Sequence, residues 1–531
     1  MSRTNQALVA AIALALAGSV SAAGNGAAER ALALIQSNPA QVHASSADRF
    51  VARDTVLDAD GSEHVRFERS YGGLPVIGGD FVLHSRGGQL RSTSQTLSKP
   101  LRLSTRPSLP AADAIVSAGG EFGSAFFGKP QATLLVYARG ATPVLAWQVR
   151  FEGADHDGNP TSMSYIVDAG NGRVLDRWSN FETVKARKPS PGANPVPCAG
   201  NAASGTGKSL YSGNVALATV ACTSGGFNMK DLGRGGGFTV DLVNKTFGGL
   251  VVADGDNTWG NNTVSDRVSA AAAADYGVAT TWDYYKNVHG RSGIANDGKG
   301  AMSRVHYARN YSNAFWDDGC FCMTFGDGNG KTWGPLVALD IAGHEMSHGV
   351  TSRSANLAYS GEPGGLNEAT SDIFGSMVEF YANNASDPGD YLIGEEIYIT
   401  GGGQALRYMF KPSRDGASID CWSSTVGKKD VHYSSGVANH FFYLLAEGAV
   451  APAGYSYTTS QLVCNGVASL SGIGRGKAEK IWYRALTVYM TSNTNYAGAR
   501  VATINAAKDL YGANSAEALA VGAAWSAVSV N

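Results

Sequence analysis

Two histidines with a glutamate between them form the most chemically distinctive stretch of the sequence. In "HEMSH", His344 and His348 stand four residues apart and Glu345 directly follows the first. On a helix, positions i and i+4 share one face, so both imidazoles can be directed at one point. Neutral imidazole is a common zinc ligand, and the glutamate could act on a water held there. The alternative is a partly buried helix whose histidines hold no metal.

A zinc site needs at least one further protein ligand, and the next predicted helix offers a carboxylate. In "GGLNEATSD", Glu368 follows His348 by twenty residues and Asp372 lies four residues further on, on the same helical face. Glu368 could complete the ligand set, while Asp372 could accept the second ring N–H of a bound histidine and so fix its tautomer. The alternative for this pair is a solvated helix face.

The composition describes a folded protein without a strong charge. The chain has 531 residues, 44% of them hydrophobic and 16% charged, with a formal net charge of −2. This length predicts more than one domain. The charge gives no general attraction to nucleic acid or to anionic membranes, so we expect neither as a partner. Low charge with 67 glycines is typical of a loop-rich extracellular protein.

The N-terminus predicts export. Arg3 precedes the apolar run "ALVAAIALALAGSV", and small residues follow at 20–22, which is the pattern of a signal peptide over 1–22. A membrane anchor is the alternative, but the run is shorter than the roughly 18 residues that a span needs. We therefore expect a secreted, extracellular protein, exported through the periplasm if the source is Gram-negative, and most simply a monomer.

Six cysteines suit an oxidising compartment. Six cysteines allow fifteen connectivities, and local pairing is favoured here. The expected pairs are Cys198 with Cys222, Cys320 with Cys322, and Cys421 with Cys464. In "CFC", the two thiolates could instead serve a metal, although no other cysteine or histidine lies beside them in the sequence.

Composition changes along the chain indicate its organisation. Residues 23–185 show strand-type alternation broken by Gly-Gly and Asn-Gly turns, with one predicted helix in "PAADAIVSAGGEF". Residues 186–205 are rich in Pro, Gly and basic residues and predict an exposed linker. Strands and turns are predicted again from about 200 to 330, and helices dominate from about 335 onward. The "HEMSH" and "GGLNEATSD" segments belong to those helices.

The segments "HEMSH…GGLNEATSDIFG" resemble the zinc region of the thermolysin-like neutral metalloproteases, in particular the pseudolysin and vibriolysin branch. "NAFWDD", "GGGQALRYMFKPSRDG", "DVHYSSGVANHFFYLLAEG" and "INAAKDLYG" resemble blocks of the same family in the same order. The resemblance covers about residue 200 to the C-terminus. It implies an α+β catalytic domain of two lobes, a β-rich lobe over 206–349 and a helical lobe over 350–531, with the active-site cleft between them.

The resemblance also implies the catalytic roles. His344, His348 and Glu368 would hold one catalytic Zn²⁺, and Glu345 would be the general base that takes a proton from the attacking water. The activity would be endopeptidase hydrolysis of protein and peptide substrates.

Three further residues are implied around the developing oxyanion. His432 in "VHYSSG" would stabilise it together with Tyr359 in "LAYSGEPGG", and Asp430 would orient His432. Outside this context, His432 would more simply be a surface or structural histidine.

Substrate contacts are implied by similar matches. Asn313 and the backbone of Ala314 resemble the edge that pairs with an extended peptide, and Arg407 resembles the arginine that holds a substrate carbonyl. A structural ion pair is the alternative for Arg407. A pocket for a bulky apolar residue after the scissile bond would be lined by four aliphatic residues, which could equally be plain core: Leu336, Ile341, Ile393 and Leu406.

A calcium site is implied by acidic residues from separate segments, since hard oxygen ligands suit this ion. Leu392 and Ser376 replace acidic residues found in parts of the family, so we expect one calcium ion rather than a pair, with Leu392 contributing at most its carbonyl. The implied carboxylate ligands are Asp340, Glu379, Asp390 and Glu395.

The N-terminal half resembles secreted-protease proregions. "VRFERSYGGLPVIGGDFVLH" is similar to the fungalysin/thermolysin-type propeptide, which would span 23–105, and "LLVYARGATPVLAWQVRF…SYIVDAGNGRVLDRWS" to a PepSY domain, which would span 106–185. Together they imply an α+β proregion that assists folding and masks the cleft, and a maturation site within the linker 186–205.

Two other functions remain open from the sequence. A non-catalytic metal-binding or adhesion protein could reuse this scaffold, but it would have no use for Glu345, His432 and Tyr359. A zinc hydrolase acting on other substrates is also compatible with "HEMSH", although Asn313 and Arg407 then lack a purpose. Casein digestion that is sensitive to 1,10-phenanthroline would distinguish them.

Overall fold

The structure is a computed structural model that describes residues 22–123, 126–154, 160–181, 195–401, 403–466 and 469–531. The predicted signal peptide, except its last residue, and residues 186–194 of the predicted linker lie outside the described residues. Among the helices that the structure describes, none combines the length and apolarity needed to cross a bilayer.

The N-terminal region is a sheet with two helices. Its helices are α1 (Ala22–Ser37) and α2 (Ala111–Phe122). Its strands are β1 (Asp48–Leu57), β2 (Ser62–Tyr71), β3 (Leu74–Ile77), β4 (Phe81–Arg86), β5 (Gln89–Gln95), β6 (Phe126–Tyr137), β7 (Val144–Ala154), β8 (Pro160–Asp168) and β9 (Val174–Ser179). The strand order is β5-β4-β2-β3-β6-β7-β8-β9, with β1 paired to β2. Because β3 pairs antiparallel with β2 and parallel with β6, the two predicted propeptide domains share one sheet.

The β-rich part of the catalytic region contains two sheets and one long helix. Its strands are β10 (Gly200–Lys208), β11 (Asn214–Cys222), β12 (Phe227–Asn228), β13 (Lys230–Asp231), β14 (Gly237–Asp241), β15 (Leu250–Val251), β16 (Ala253–Asp254), β17 (Thr258–Trp259), β18 (Met302–Tyr307), β19 (Ala314–Asp317) and β20 (Cys322–Gly326). One sheet has the order β16-β12-β11-β10-β17, and the other β13-β14-β18-β20-β19 with β15 beside β14. Strand β19 is therefore an edge strand.

The helix in this part, α3 (Arg267–His289), was not expected, because the sequence predicted only strands and turns there. Most of its residues are buried, including a run of alanines. A helix that is covered on most sides has no polar face, so its sequence lacks the amphipathic period that identifies surface helices. The prediction for this segment was wrong for that reason.

The remainder of the chain is mainly helical, as predicted. Its helices are α4 (Leu339–Ser352), α5 (Gly361–Ala382), α6 (Val431–Ser434), α7 (Gly436–Glu447), α8 (Arg475–Arg484), α9 (Tyr496–Tyr511) and α10 (Ala516–Ala527). Two short strands, β21 (Leu392–Ile393) and β22 (Arg407–Tyr408), pair with each other, and a π-helical turn, Ala485–Tyr489, follows α8. Short 3-10 turns lie at Pro39–Val42, Pro412–Asp415, Val426–Lys428 and Thr459–Gln461. The fold is α+β overall.

Helix α4 lies between two apolar cores. Ile341, Ala342 and Met346 pack into the core of the β-rich part, whereas Leu339 and Val350 pack into the core of the helical part. Every residue of α4 except its last is buried. The "HEMSH" motif is therefore held rigidly at the junction of the two parts.

Three disulfides join the cysteines in the pairs expected from the sequence: Cys198–Cys222, Cys320–Cys322 and Cys421–Cys464. The second closes the turn between β19 and β20, so neither sulfur of "CFC" is a thiolate available to a metal. The third joins the loop before α6 to the loop after α7.

Candidate active site

Helices α4 and α5 approach each other closely at two glycines. A Cβ added to Gly375 would lie 2.6 Å from the carbonyl oxygen of Asp340, and one added to Gly343 would lie 3.0 Å from the Cα of Gly375. A side chain at either position would push the helices apart. The two glycines thus allow His344 on α4 to face Glu368 and Asp372 on α5.

Three potential zinc ligands converge in this contact. His344 Nε2 and His348 Nε2 are 3.0 Å apart, and they lie 3.6 and 3.4 Å from carboxylate oxygens of Glu368. Zinc–nitrogen bonds of 2.0–2.1 Å in a tetrahedral site would place ligand atoms roughly 3.3 Å apart. The donor atoms are of the types that zinc prefers, and all three residues are buried. The residues present therefore fit a zinc ion.

Hydrogen bonds fix the two imidazole tautomers. His344 Nδ1 lies 2.8 Å from Asp372 Oδ1, and His348 Nδ1 lies 2.8 Å from Asn367 Oδ1. Carboxylate and amide oxygens accept hydrogen bonds, so each Nδ1 must carry the proton and donate it. The lone pair of each Nε2 is then left on the side of Glu368, which is the arrangement that a metal requires.

The electrostatics of the site favour an anionic carboxylate and neutral imidazoles. Burial lowers the pKa of His348 to about 3, so this ring is neutral at physiological pH. For Glu368, burial opposes ionisation, but His432, the zinc-motif histidines and Arg407 outweigh it and hold the pKa below its ordinary value. Both states are those of a metal ligand.

Tyr359 and His432 also lie beside the Glu368 carboxylate, close to the two histidines of α4. The Tyr359 hydroxyl donates to Glu368 Oε1 and lies 3.3 Å from His432 Nε2, which is itself 3.6 Å from Glu368 Oε2. Asp430 caps the short helix α6 by accepting from the His432 amide at 3.0 Å, and it also contacts His432 Nδ1 at 2.7 Å. Burial disfavours a charged His432, but the carboxylates of Glu368 and Asp430 prevail and raise its pKa.

Glu345 lies on α4 beside His344 and is 3% exposed. Its place on the helix turns its side chain away from the i, i+4 face shared by the two histidines. Its burial puts a carboxylate in surroundings that shield it from bulk water. Such surroundings are compatible with the predicted role of Glu345 as a general base.

Arg407 is paired with Asp372 in the structure. Its Nε and Nη2 donate to the two carboxylate oxygens at 2.7 and 2.6 Å, and Asn439 Nδ2 donates to Oδ2 at 2.7 Å. Asp372 therefore connects Arg407 to His344, and its pKa is held far below the ordinary value because Arg407 and His344 outweigh burial. The ion pair that was the alternative for Arg407 is present, and Asp372 links it to His344, one of the three candidate zinc ligands.

The predicted peptide edge is at the rim of the β-rich part. Strand β19 begins at Ala314 and has β20 on one side only, so its other edge has no strand partner among the described residues. Asn313 Oδ1 accepts from the Ala314 amide at 2.9 Å, and the Asn313 carbonyl accepts from Gly326. An edge strand of this kind can pair with an extended peptide.

The four predicted pocket residues divide between two cores. Leu336 and Ile341 belong to the core of the β-rich part, Leu406 packs against it, and Ile393 belongs to the core of the helical part. Leu406 donates its amide to the Ile393 carbonyl across the β21–β22 pair. The four residues thus lie along the junction of the two cores, beside Arg407.

Acidic residues gather in two overlapping groups at the C-terminal end of α5 and in the segment that follows it. Oxygens of Glu379, Asp390 and Glu395 lie within 4.8 Å of one another, and so do those of Asp387, Glu395 and Glu396. Both carboxylate oxygens of Glu379 are buried without a hydrogen-bond donor among the residues that the structure describes. Burial and the neighbouring carboxylates raise the pKa of Asp387 to about 8 and that of Glu379 well above its ordinary value. Such a cluster fits a divalent cation.

Two predicted calcium ligands have other partners. Asp340 belongs to neither group, and its carboxylate accepts from the Ile341 and Gly394 amides at 2.7 and 2.5 Å. Leu392 donates its amide to Asp390 at 2.6 Å. Glu395 belongs to both groups, which leaves room for two adjacent ions where the sequence led us to expect one.

Three residues that the structure places at these sites were not predicted from the sequence. Asn367 orients His348, Asn439 supports Asp372, and Asp387 joins the acidic cluster. Asn367 directly precedes Glu368, so its position was a usable signal. Asn439 and Asp387 gave none, because a single polar residue in a helix or a loop is ordinary.

Three protein-family models match segments of this chain. Residues 204–352 match the thermolysin metallopeptidase catalytic domain, residues 355–530 its alpha-helical domain, and residues 48–97 the fungalysin/thermolysin propeptide motif. The transglutaminase-activating metalloprotease of Streptomyces mobaraensis is 47% identical over 494 residues, which are 91% of this chain and 61% of that relative. The chain thus spans less than two thirds of that relative's length.

A second relative is covered more completely. Thermolysin of Alicyclobacillus acidocaldarius subsp. acidocaldarius is 36% identical over 514 residues, which are 93% of this chain and 88% of thermolysin. Among solved structures, the precursor of protealysin from Serratia proteamaculans aligns with a TM-score of 0.44 at 29% identity, over 56% of this chain and 88% of that one. On the sequence matches, this chain belongs to the thermolysin family of metallopeptidases and carries its propeptide motif.

Proposed function

We propose that this chain is a secreted, zinc-dependent neutral endopeptidase made as a preproenzyme. The observation that carries the proposal is the convergence of His344, His348 and Glu368 with Tyr359 and His432 around one buried point. Three protein ligands would leave the fourth position of a tetrahedral zinc ion open, whereas a structural site closes it with a fourth protein ligand. The added hydroxyl and imidazole supply donors where an oxyanion would form, and a structural site has no need of them.

The mechanism assigns a task to each side chain. His344, His348 and Glu368 would hold the zinc ion, which when bound supplies Lewis acidity to activate water and polarise a carbonyl. Glu345 takes the proton of the attacking water and later delivers it to the leaving amine. Tyr359 and His432, the latter charged through Asp430 and Glu368, donate to the oxyanion as it develops.

Substrate binding would use the edge of the β-rich part. An extended peptide would pair with β19 at Asn313 and Ala314, and Arg407 would contact a substrate carbonyl from its position on Asp372. Leu336, Ile341, Ile393 and Leu406 would line the pocket after the scissile bond. Because all four are aliphatic, cleavage before bulky apolar residues is expected.

Calcium would stabilise the helical part. Glu379, Asp390 and Glu395 offer oxygens to one ion, with Asp340 and the Leu392 carbonyl as further ligands implied by the family resemblance. Glu395, with Asp387 and Glu396, could hold a second ion. Without a cation, the cluster would concentrate like charges in a buried position, which is why several of its pKa values are raised.

The N-terminal half would be a proregion. We propose a signal peptide over 1–22, a propeptide domain over 23–105, a PepSY domain over 106–185 and a maturation site in 186–205, followed by catalytic lobes over 206–349 and 350–531. Arg139 donates to Ser360, the neighbour of Tyr359, at 2.9 Å. Phe181 is buried against Phe315, which follows the peptide edge. Both contacts support masking of the cleft.

We further propose that the mature enzyme is a monomer of the pseudolysin and vibriolysin branch. The Asp430–His432 pair supports the branch, since the resemblance attributes an orienting carboxylate at that position to it. Export by way of the periplasm would apply if the source is Gram-negative.

A casein assay on the processed protein tests the proposal. Glu345→Ala should lower kcat on the order of a thousandfold while zinc remains bound stoichiometrically, because the base is not a ligand. Glu517→Ala is the matched control: this residue lies in the first turn of α10, where it pairs with Lys477, and its loss should leave activity unchanged. Activity should also disappear with 1,10-phenanthroline. One zinc per chain without hydrolysis of any peptide would refute the proposal, and N-terminal sequencing would locate the maturation site.

A further inference from the structure

The proregion docks on the helical lobe through the segment that joins α8 to α9. In this segment, Arg484 ends α8, the π-helical turn covers 485–489, and Ser492 precedes α9. Arg66 on β2 donates to the Thr487 carbonyl at 3.3 Å, and Asp80 before β4 accepts from the Ser492 amide at 2.9 Å. We call residues 484–493 the docking segment. It belongs to the part matched to the alpha-helical domain, and its partners lie within the propeptide motif.

Arg484 is the main charged contact of the docking segment. Its Nη1 and Nη2 donate to the two oxygens of Asp58, which follows β1, at 2.7 and 2.6 Å. Within its own lobe, it also contacts Asp509 on α9 at 2.9 Å. Its side chain is 13% exposed. A bidentate pair of this kind fixes register as well as adding affinity.

Beside this ion pair, two imidazoles of the proregion contact each other. His64 on β2 and His84 on β4 are directly opposite in the sheet, and their Nδ1 atoms are 2.7 Å apart. They are 7% and 4% exposed. Tyr489 of the docking segment covers them, with its ring centroid 5.1 Å from that of His84. The two imidazoles are therefore shielded from solvent where the proregion meets the docking segment.

The Nδ1 contact requires one proton between the two rings. One Nδ1 donates and the other accepts, so the bond exists only while at least one ring is neutral. His84 Nε2 contacts Ser94 Oγ at 2.9 Å, and His64 Nε2 contacts both Asp58 and Arg484. A second proton on the pair would place two donors face to face.

The charges around the pair oppose that second proton. The titratable and charged groups that face it are Asp58, Arg66, Asp80, Arg484, Tyr489 and Asp509, while Glu63 beside His64 is paired with Arg30. Burial, the second imidazole and the two arginines lower the pKa of His84 to about 3, and Asp58 only partly offsets them. Separation of the proregion would remove Tyr489 and Arg484 from the His84 ring, so the pKa of His84 would return toward its ordinary value of 6.5.

We propose that residues 484–493 are the docking surface for the chain's own proregion, and that the His64–His84 pair makes this surface release the proregion on acidification. This inference rests on the proposed zymogen organisation and adds to it where the proregion is held and what releases it. The partner is the propeptide motif itself, recognised through Asp58, Asp80 and the imidazole pair.

The direction of this pH dependence follows from proton linkage. A histidine whose pKa is lower in the complex than in the free proregion binds a proton on dissociation. The complex is thus at full strength above pH 6.5 and weakens by about tenfold per pH unit below it, down to about pH 3. The pKa of Asp58 is also lowered in the complex, chiefly by His64 and Arg484 against the effect of burial, but its contribution is lost only at more acidic pH. Between pH 6.5 and 5, release is therefore a histidine effect.

The test uses the full chain with Glu345→Ala, so that it is cut only at a site-specific protease sequence placed in the linker 186–205. After cutting, the dissociation constant of the two fragments is measured from pH 7.5 to 5 by fluorescence anisotropy of a labelled N-terminal fragment, with zinc and calcium present. The expected rise between pH 7.5 and 5 is about 30-fold. It should reverse on neutralisation with unchanged circular dichroism.

Two substitutions separate the parts of the proposal. His84→Gln should reduce the rise to less than about threefold, while His43→Asn, in a proregion turn away from the docking segment, should retain it. Arg484→Gln should weaken docking at pH 7.5 by at least about tenfold. Lys480→Gln, an exposed change on the same helix, should not. Proton uptake measured by calorimetry in two buffers gives the same linkage without any variant.

A dissociation constant independent of pH, or an equal rise in the parent and His84→Gln chains, would overturn the release mechanism. Unaltered docking in Arg484→Gln would overturn the surface. Neither result bears on casein hydrolysis by the processed enzyme. Conversely, steep release in this test, together with no peptide cleavage by the processed parent enzyme that retains Glu345, would sink the proposed activity alone.

Discussion

Asp372→Asn tests most directly how the carboxylate that hydrogen-bonds to His344 supports the predicted zinc ligands. In the native chain, Oδ1 accepts from His344 Nδ1 and Arg407 Nη2, and Oδ2 accepts from Arg407 Nε and Asn439 Nδ2. Asparagine has only one acceptor oxygen. Whichever way the amide is turned, its NH₂ faces two donors, and the Arg407 charge loses its counter-ion.

The magnitude follows from two separate losses. Breaking a buried ion pair by neutralising one partner costs about 3–5 kcal/mol of stability. The His344 ring also loses the anionic acceptor that increases its basicity, and such losses lower metal affinity by about 10- to 100-fold, or about 1.4–2.7 kcal/mol. Zinc affinity would be measured by competition with a chromophoric chelator, and stability by the urea midpoint of tryptophan fluorescence.

Asp275→Asn is the matched control. Asp275 is also buried, but its neighbour is the Thr239 hydroxyl, which donates to Oδ1 at 2.9 Å, and burial raises the pKa of Asp275 to about 7. The amide can accept the same hydrogen bond, so zinc affinity should not change. If Asp372→Asn binds zinc within twofold of the parent chain, or if Asp275→Asn loses as much affinity, then Asp372 does not act by orienting His344.

Three further outcomes are expected. Asp275→Asn should raise the free energy of unfolding in urea by up to about 4 kcal/mol at pH 8 but not at pH 4. Burial raises the pKa of Asp275 to about 7, so the native protein loses stability as this carboxyl ionises between pH 3.8 and about 7. Equal gains at both pH values would contradict this. Asn367→Ala should lower zinc affinity by about tenfold, which is less than the loss expected for Asp372→Asn, because it removes from His348 an acceptor that is neutral. A larger loss than that of Asp372→Asn would be inconsistent with a neutral amide at Asn367 and a charged carboxylate at Asp372. Calcium should raise the melting temperature of the parent chain by several degrees. Without calcium, Glu379→Gln should melt at a higher temperature than the parent, and it should gain little from added calcium, because the change removes both a calcium ligand and a charge repulsion. The proposed calcium site fails this test if both chains gain equally.

The sequence was informative wherever function depends on local spacing. His344 and His348 share a face because they lie one helical turn apart, and Glu368 and Asp372 do so for the same reason. Local pairing of cysteines also gave the three disulfides. In each case, the geometry is set by a few bonds of one chain segment, so it can be deduced without knowing the remainder of the fold.

Burial removed the signal elsewhere. Helix α3 has few exposed positions and therefore no amphipathic period, and it was predicted as strand and turn. Asp387 and Asn439 looked ordinary, because what gives them a role is a set of partners that are distant in sequence. The same is true of Glu395, whose position in two acidic groups could not be seen from the spacing of its neighbours.

The sequence by itself predicted the candidate ligands, the candidate base and the helices that carry them. Only the tertiary structure decided how those helices meet at Gly343 and Gly375, and that Asp372 joins Arg407 to His344. It also decided that Asp58 meets Arg484 across 426 residues of chain. The physical reason is that contacts within a helix follow from its period, whereas contacts between distant segments depend on how the whole chain buries its apolar faces.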